Sequence, residues 1–159
     1  MITLAKEKDL QEILDLYKRC SDHVMKRYNR TQWTEHFDEK EYLDKIQNNL
    51  IYIMKDKETL VSSFILEVEY PYYISNMDNL PFRYLKKLAV DPQYQSQGIG
   101  YRMMKHAENI SKDLGATVLR MDFRSNFEHL RAFYQRLMYQ EIGLAYIEDI
   151  EVMVIEKIL

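Results

Sequence analysis

The amino-acid sequence predicts a mixed α/β fold, because strand-like and helix-like apolar patterns alternate along its 159 residues. The clearest indication is a strand, a glycine turn and a long helix in direct succession over residues 84–114, followed by another strand. This order makes a βαβ unit, whose two strands are expected to be parallel. With 47% apolar residues, the chain can bury a core, and we expect residues 1–159 to form a single domain.

The individual elements follow from the period of the apolar residues. Helical spacing marks the first helix at Leu10, Ile13 and Tyr17, whereas strict alternation marks the last strand at Ile150, Val152 and Val154. By these patterns, helices are predicted at residues 7–20, 37–49, 99–114 and 124–139, and strands at residues 2–5, 50–54, 60–69, 82–90, 118–123, 140–146 and 150–158.

Two local signals predict helix ends. Gly115 lies where a left-handed residue commonly ends a helix, directly after the helix of the βαβ unit. Ser125 and Glu128 match a capping box, worth about 1 kcal/mol, which predicts the start of the last helix.

Two irregular segments each allow two interpretations. The basic run Lys26, Arg27 and Arg30 is either a solvated surface or an attraction for an acidic acceptor. The tyrosine-rich segment 70–81 is either an aromatic wall of a binding pocket or a packed surface loop.

The glycine turn indicates a phosphate site. Gly98 and Gly100, two of only four glycines, lie one residue apart where strand meets helix. Glycine permits positive φ and leaves backbone N–H groups approachable, and a helix N-terminus offers unpaired donors to an anion. A dinucleotide fingerprint is excluded because Met103 occupies its third glycine position, and nothing in the chain resembles a Walker A loop.

The remaining pattern, Q-x-x-G-x-G at residues 95–100 after the strand L-A-V-D-P, resembles motif A of the GNAT superfamily of acetyl-CoA-dependent N-acetyltransferases. A second stretch, A-F-Y-Q-R-L-M-Y at residues 132–139, resembles the end of the family pattern N-x-x-A-x-x-L-Y-x-K-x-G-F. Here Met138 replaces the usual glycine and Tyr139 the usual phenylalanine. The resemblance implies a mostly antiparallel sheet of about seven strands, with a central parallel βαβ unit and about four flanking helices.

The resemblance also implies a coenzyme A site. Successive N–H groups of the turn would hold the diphosphate, the N–H of Val90 would contact the thioester carbonyl, and Tyr134 would be the general acid for the sulfur. Asn126 lies one residue further from Tyr134 than the family spacing. The implied coenzyme contacts are Leu88, Ala89, Val90, Gln95, Ser96, Gln97, Gly98, Ile99, Gly100, Tyr101, Arg102, Asn126 and Tyr134.

The attacking amine must be neutral, and deprotonating an amine of pKa near 10.4 at pH 7 costs about 4.6 kcal/mol without a base. Where many relatives carry a glutamate on the strand before the turn, this chain has Lys86 and Lys87. Glu67 and Glu69 on the neighbouring strand are the alternatives, and we take Glu67 as the candidate base. Glutamates on a polar strand face are more often simply solvated.

Charge and composition exclude other classes. A net charge of −3 and a pI near 5.8 argue against a nucleic-acid partner, and no apolar run approaches a membrane span. A single cysteine, Cys20, and no signal peptide predict a cytoplasmic location. His106 and His129 lack neighbours at metal-ligand spacing, so we expect no metal.

The sequence therefore predicts a cytoplasmic N-acetyltransferase that moves the acetyl group of acetyl-CoA to a primary amine by direct attack. The acceptor stays open between a small amine or amino acid, an aminoglycoside-like antibiotic, and a protein α- or ε-amine. The tyrosines and the basic run favour a small molecule. The alternatives are a module that binds coenzyme A without catalysis and an interaction domain using only the scaffold. Relatives often pair through their C-terminal strands, so the resemblance allows a homodimer.

Overall fold

The computed structural model describes residues 1–33, 36–75 and 77–159. Within these ranges, the strands are β1 (Ile2–Leu4), β2 (Ile51–Asp56), β3 (Thr59–Glu67), β4 (Phe82–Val90), β5 (Val118–Arg124), β6 (Gln140–Ile147) and β7 (Ile150–Ile158). The α-helices are α1 (Leu10–Tyr28), α2 (Glu39–Gln47), α3 (Ile99–Asp113) and α4 (Glu128–Arg136).

The strands of the described ranges form one seven-stranded sheet in the order β1-β2-β3-β4-β5-β7-β6. The pairs β1–β2, β2–β3, β5–β7 and β6–β7 are antiparallel, and β4 pairs with β5 in parallel. Helix α3 connects these two parallel strands. The predicted mixed fold, with its mostly antiparallel sheet and its central βαβ unit, is therefore confirmed.

The chain divides into two compact units, each assembled from two separate segments. Unit 1 consists of Met1–Ile65 and Lys87–Met104, and unit 2 consists of Leu66–Lys86 and Lys105–Leu159. The glycine turn thus belongs to unit 1, whereas β5, α4 and the last two strands belong to unit 2.

The core of unit 1 forms around the buried Tyr17 of α1. Its ring lies 5.3 Å from that of Trp33 and 5.7 Å from that of Tyr42, and its hydroxyl is hydrogen-bonded to Ser63 Oγ at 3.2 Å. Helix α1 is longer than the predicted helix at residues 7–20, because Val24 continues the buried stripe. The helix ends at Asn29, which has a φ of 51° and donates its N–H to the carbonyl oxygen of Met25.

The core of unit 2 includes Phe123 of β5, whose ring stacks on that of Tyr134 at 5.7 Å. Arg120 of the same strand is only 1% exposed and is held by two carboxylates. Its Nη2 donates to Asp78 Oδ2 at 2.6 Å and its Nε donates to Glu156 Oε2 at 2.8 Å. Because Asp78 precedes β4 by a few residues, this buried guanidinium ties the β3–β4 connection to the sheet.

The helix ends of unit 2 match the sequence only in part. Gly115 has a φ of 83° after α3, which confirms the predicted left-handed cap. The predicted capping box is wrong, because α4 begins at Glu128 and its N-cap residue is Phe127, which makes no side-chain capping hydrogen bond. The Ser125 hydroxyl instead donates to Glu151 Oε1 at 2.6 Å, so a contact from β7 replaces the local cap.

Candidate active site

The turn between β4 and α3 starts with a 3₁₀ turn, Pro92–Tyr94, that Asp91 caps. One carboxylate oxygen of Asp91 accepts the N–H of Gln93 at 3.0 Å, and the other accepts Nε–H of Arg19 at 2.9 Å. Two left-handed residues follow, Ser96 with a φ of 62° and Gly98 with a φ of 75°. Left-handed residues in a turn orient neighbouring N–H groups to one side, which forms a concave site for anions.

Helix α3 begins directly on this turn. Its first bond runs from the N–H of Arg102 to the carbonyl oxygen of Gly98 at 3.1 Å, so the N–H groups of Gly98, Ile99 and Gly100 have no acceptor within the helix. Residues 95–98 are exposed, and a Cβ built on Gly98 would meet no heavy atom of the described residues within 4 Å. The positive end of the helix dipole therefore lies at an open surface, an arrangement that suits a phosphate.

The side chains of the two turn glutamines brace the turn. Nε2 of Gln95 donates to the carbonyl oxygen of Val90 at 3.3 Å, and Nε2 of Gln97 donates to that of Gln93 at 3.5 Å. Both side chains are therefore engaged with main-chain carbonyl groups near the turn.

Val90 ends β4 with its N–H turned away from β3. The N–H of Asp91 donates to the carbonyl oxygen of Val61 in β3 at 2.9 Å, and Ser62 Oγ donates to that of Ala89 at 2.6 Å. Successive residues of a strand direct their N–H groups to opposite edges, so the N–H of Val90 points to the other side. This geometry leaves it in a suitable orientation for a substrate carbonyl. Leu88 and Ala89 precede it on the same strand.

Lys87, in the middle of β4, has a φ of 51° and interrupts the regular strand conformation. Its ammonium lies 5.3 Å from the ring centre of Trp33 and 5.6 Å from that of Phe37. Cations at such distances are attracted to aromatic faces. Unit 1 therefore combines the turn with a half-buried cation on an aromatic surface.

In unit 2, Tyr134 is 7% exposed and packs among Phe123, Phe133 and Tyr139. Burial raises its pKa, and the negative charge of Asp122 raises that pKa further. The phenol therefore stays protonated at neutral pH, as a general acid requires.

The other predicted residues of unit 2 differ in exposure. Asn126 is exposed ahead of α4. Glu67 is only 8% exposed, because β3 is buried on both faces from Leu60 onwards. The expectation of a solvated polar face is wrong for Glu67, whereas Glu69 is exposed.

Sequence reasoning missed Asp122 of β5. Its Oδ2 accepts a hydrogen bond from the hydroxyl of Tyr84 at 2.5 Å and another from that of Tyr73 at 2.9 Å. The available signal was an acidic residue near the carboxyl end of the second parallel strand, where ligands of βαβ units bind.

Neither a metal-binding group nor a membrane-spanning helix is found among the described residues. No group of three His, Cys, Asp or Glu side chains there is placed to hold a metal ion. No helix in the same ranges is long and apolar enough to cross a membrane.

The fold and the open turn at the start of α3 suit an acyltransferase with a diphosphate-bearing cosubstrate, and comparison with known families supports that class. The sequence model of the acetyltransferase (GNAT) family matches residues 10–139. The chain therefore belongs to the acetyltransferase (GNAT) family, whose acetyl donor is acetyl-CoA. No curated protein matches the sequence at a significant level.

Solved structures of this family share the fold across the whole chain. A GNAT acetyltransferase from Listeria monocytogenes has a TM-score of 0.81 at 18% identity, covering 100% of this chain and 94% of its own. The PaiA N-acetyltransferase from Thermoplasma acidophilum, solved with coenzyme A, has a TM-score of 0.78 at 18% identity, covering 100% and 98%. A ribosomal-protein-alanine N-acetyltransferase from Brucella melitensis has a TM-score of 0.77 at 16% identity, covering 100% and 99%.

Proposed function

We propose that this protein transfers the acetyl group of acetyl-CoA to a primary amine of a small-molecule acceptor by direct attack, without a covalent enzyme intermediate. The turn before α3 is the observation that carries the proposal. Ser96 and Gly98 are left-handed, the first N–H groups of α3 lack acceptors within the helix, and the surface over Gly98 is open. A diphosphate there would accept several main-chain hydrogen bonds at once.

Within this proposal, the turn and strand hold the cosubstrate while two groups assist the chemistry. The N–H of Val90 donates to the thioester oxygen as it gains negative charge. Tyr134 gives its phenolic proton to the departing sulfur. The proposed coenzyme contacts are Leu88, Ala89, Val90, Gln95, Ser96, Gln97, Gly98, Ile99, Gly100, Tyr101, Arg102, Asn126 and Tyr134.

Two features of unit 1 support a small acceptor that carries an acidic or aromatic group. Lys87 presents its ammonium over the rings of Trp33 and Phe37. A carboxylate is attracted to such a cation, and an aromatic acceptor can stack on the same rings. Lys26, Arg27 and Arg30 are exposed, in agreement with a solvated surface. Cytoplasmic location and pairing of two chains remain predictions from the sequence.

A protein α-amine is the second acceptor class, because a structurally similar protein from Brucella melitensis is a ribosomal-protein-alanine N-acetyltransferase. The non-catalytic alternative has less support, since Met138 adopts the left-handed conformation that the usual glycine would adopt, with a φ of 68°. The helix α4 therefore ends with the same left-handed backbone conformation although methionine replaces glycine.

The experiment is an amine panel. The purified protein is mixed with acetyl-CoA and, in turn, small amines, amino acids, aminoglycosides, and peptides with a free α-amine or lysine. Release of the coenzyme A thiol is followed, and the acetylated product is identified by mass spectrometry. We expect the fastest thiol release with a small acceptor bearing a carboxylate or an aromatic ring.

Two other outcomes would contradict the proposal in different ways. If no amine accelerates thiol release while coenzyme A raises the melting temperature, the protein is a coenzyme-binding module. If coenzyme A leaves the melting temperature unchanged and no thiol appears, the scaffold serves another purpose.

A further inference from the structure

Unit 2 contains a carboxylate bound by two phenols. Both hydroxyl groups donate to the same oxygen, Asp122 Oδ2, at 2.5 Å from Tyr84 and 2.9 Å from Tyr73. Tyr84 comes from β4 and is fully buried, whereas Tyr73 comes from the β3–β4 connection. Hydrogen bonds to a carboxylate favour its charged form, so the two phenols stabilise the Asp122 carboxylate and fix its orientation.

Asp122 lies just beyond the point where the parallel pairing ends. As far as the described residues show, the β4–β5 register stops with Tyr84 opposite Arg120. Asp122 follows two residues later on the same face of β5, with Val154 of β7 opposite it on the other edge. Ligands of βαβ units bind near the carboxyl ends of their strands, which is where this carboxylate lies.

Asp122 is also coupled to the proposed general acid. Its neighbour Phe123 stacks on Tyr134 at 5.7 Å, and the charge of Asp122 is the second cause, after burial, of the raised pKa of Tyr134. A nearby cation, Arg120, has its guanidinium paired with Asp78 and Glu156. Among the described contacts, Tyr84 from β4 and Tyr73 from the β3–β4 connection bind Asp122, and Tyr134 from α4 experiences its charge. Arg120 and Arg124 are the charged residues of its own strand.

We propose that Asp122 is the general base of the acetyl transfer, in place of Glu67, and that Tyr84 and Tyr73 are positioning residues that hold its carboxylate. This inference rests on the function proposed above.

In the proposed reaction the acceptor ammonium loses two protons, one to Asp122 and one by way of Tyr134. Asp122 takes one proton from the ammonium of the acceptor, and the neutral nitrogen attacks the thioester carbon. The C–N bond forms and the C–S bond breaks, and the departing sulfur takes the phenolic proton of Tyr134. The second proton of the nitrogen passes to the Tyr134 phenoxide, and Asp122 releases its proton to water. The products are the amide, coenzyme A and one proton.

The test measures kcat and KM of the full chain as a function of pH, with acetyl-CoA and the acceptor found in the panel. Asp122→Asn keeps the size of the side chain and should lower kcat at neutral pH by roughly 10²- to 10⁴-fold, with KM for acetyl-CoA unchanged. Its rate should then rise about tenfold per pH unit towards the pKa of the amine, because only the neutral fraction reacts without a base. A purely structural role would not produce that rise.

Two further variants complete the test. Tyr84→Phe removes one hydrogen-bond donor to the Asp122 carboxylate. The acid limb of its pH profile should therefore move to higher pH, with little change in the plateau rate. This variant tests the role of Asp122 even if Asp122→Asn does not fold. Asp113→Asn removes an exposed carboxylate at the end of α3 and should behave like the wild type.

Two results would overturn the inference, and they are distinguishable. In the first, the wild type is active but Asp122→Asn has the same pH profile as the wild type, or kcat falls in Glu67→Gln instead. Asp122 is then not the base, and the proposed function stays intact. A wild type inactive with every amine overturns the proposed function and the role of Asp122 together.

Discussion

Met138 follows α4 in a conformation that is unfavourable for a residue with a side chain. Its φ is 68° and its side chain is 75% exposed. The N–H of Tyr139 donates to the carbonyl oxygen of Tyr134 at 3.1 Å, and that of Met138 donates to Gln135 at 2.9 Å, which is the Schellman pattern of helix ends. A left-handed conformation costs a residue with a Cβ roughly 1–2 kcal/mol.

We therefore expect Met138→Gly to raise the free energy of unfolding by about 1 kcal/mol, since glycine adopts positive φ without the steric penalty but loses more chain entropy on folding. Denaturant and thermal unfolding measure the change. Met138→Ala is the control, because it removes the exposed side chain but keeps the Cβ, and should stay near the wild type. A lower melting temperature for Met138→Gly than for Met138→Ala would contradict this explanation.

At the scale of elements, α3 has a glycine at each end with closely similar geometry. Gly98 and Gly115 have φ values of 75° and 83°, and around either one a built Cβ meets no heavy atom of the described residues within 4 Å. Only Gly98 adjoins the N–H groups at the start of the helix. The two positions thus separate the effect of backbone strain from that of ligand access.

Gly98→Val should weaken coenzyme A binding more than tenfold, because the new side chain covers the N–H groups of the turn. Gly115→Val should carry a similar strain of roughly 1–2 kcal/mol and keep its affinity within about twofold. Calorimetry, or the melting-temperature shift caused by coenzyme A, measures both. Normal binding by Gly98→Val would mean that the turn is not the diphosphate site.

Local patterns were sufficient to predict most elements. The bounds of β4 match the strand predicted at residues 82–90, and α3 begins and ends near glycines. The start of α4 could not be predicted, because Ser125 has a distant partner in Glu151. Asp122 was missed for the same reason, since its partners Tyr73 and Tyr84 lie 49 and 38 residues away in sequence.

At the scale of the whole molecule, each unit contains a carboxylate that is buried beside lysines. In unit 1, Asp9 is 3% exposed and bound by Lys55 at 2.8 Å. In unit 2, Glu108 is 6% exposed and bound by Lys105 and Lys157, each at 3.0 Å. Burial alone would raise the pKa of each carboxyl, but the lysine hydrogen bonds and charges outweigh it, so both pKa values are lowered.

A lowered carboxyl pKa stabilises the folded state above the pKa of the unfolded chain, near 4, and that stability is lost as the pH falls through the lower folded value. We therefore expect the free energy of unfolding to be steady near neutral pH and to fall below about pH 4. Urea unfolding at a series of pH values measures it. Asp9→Asn and Glu108→Gln should be less stable at neutral pH and show a shallower decline in acid. If the free energy of unfolding of these variants fell as steeply with pH as that of the wild type, Asp9 and Glu108 would not be the cause of the acid sensitivity.

The interleaving of the two units affects how the chain folds during synthesis. Unit 1 includes Lys87–Met104, so it cannot complete its fold until those residues have left the ribosome. By then Leu66–Lys86 has also emerged, although the rest of unit 2 has not yet been synthesised. Contacts between such distant segments slow folding and expose apolar surface to aggregation in the meantime. A nascent chain stalled between residues 65 and 104 would thus hold neither unit intact and would depend on chaperones.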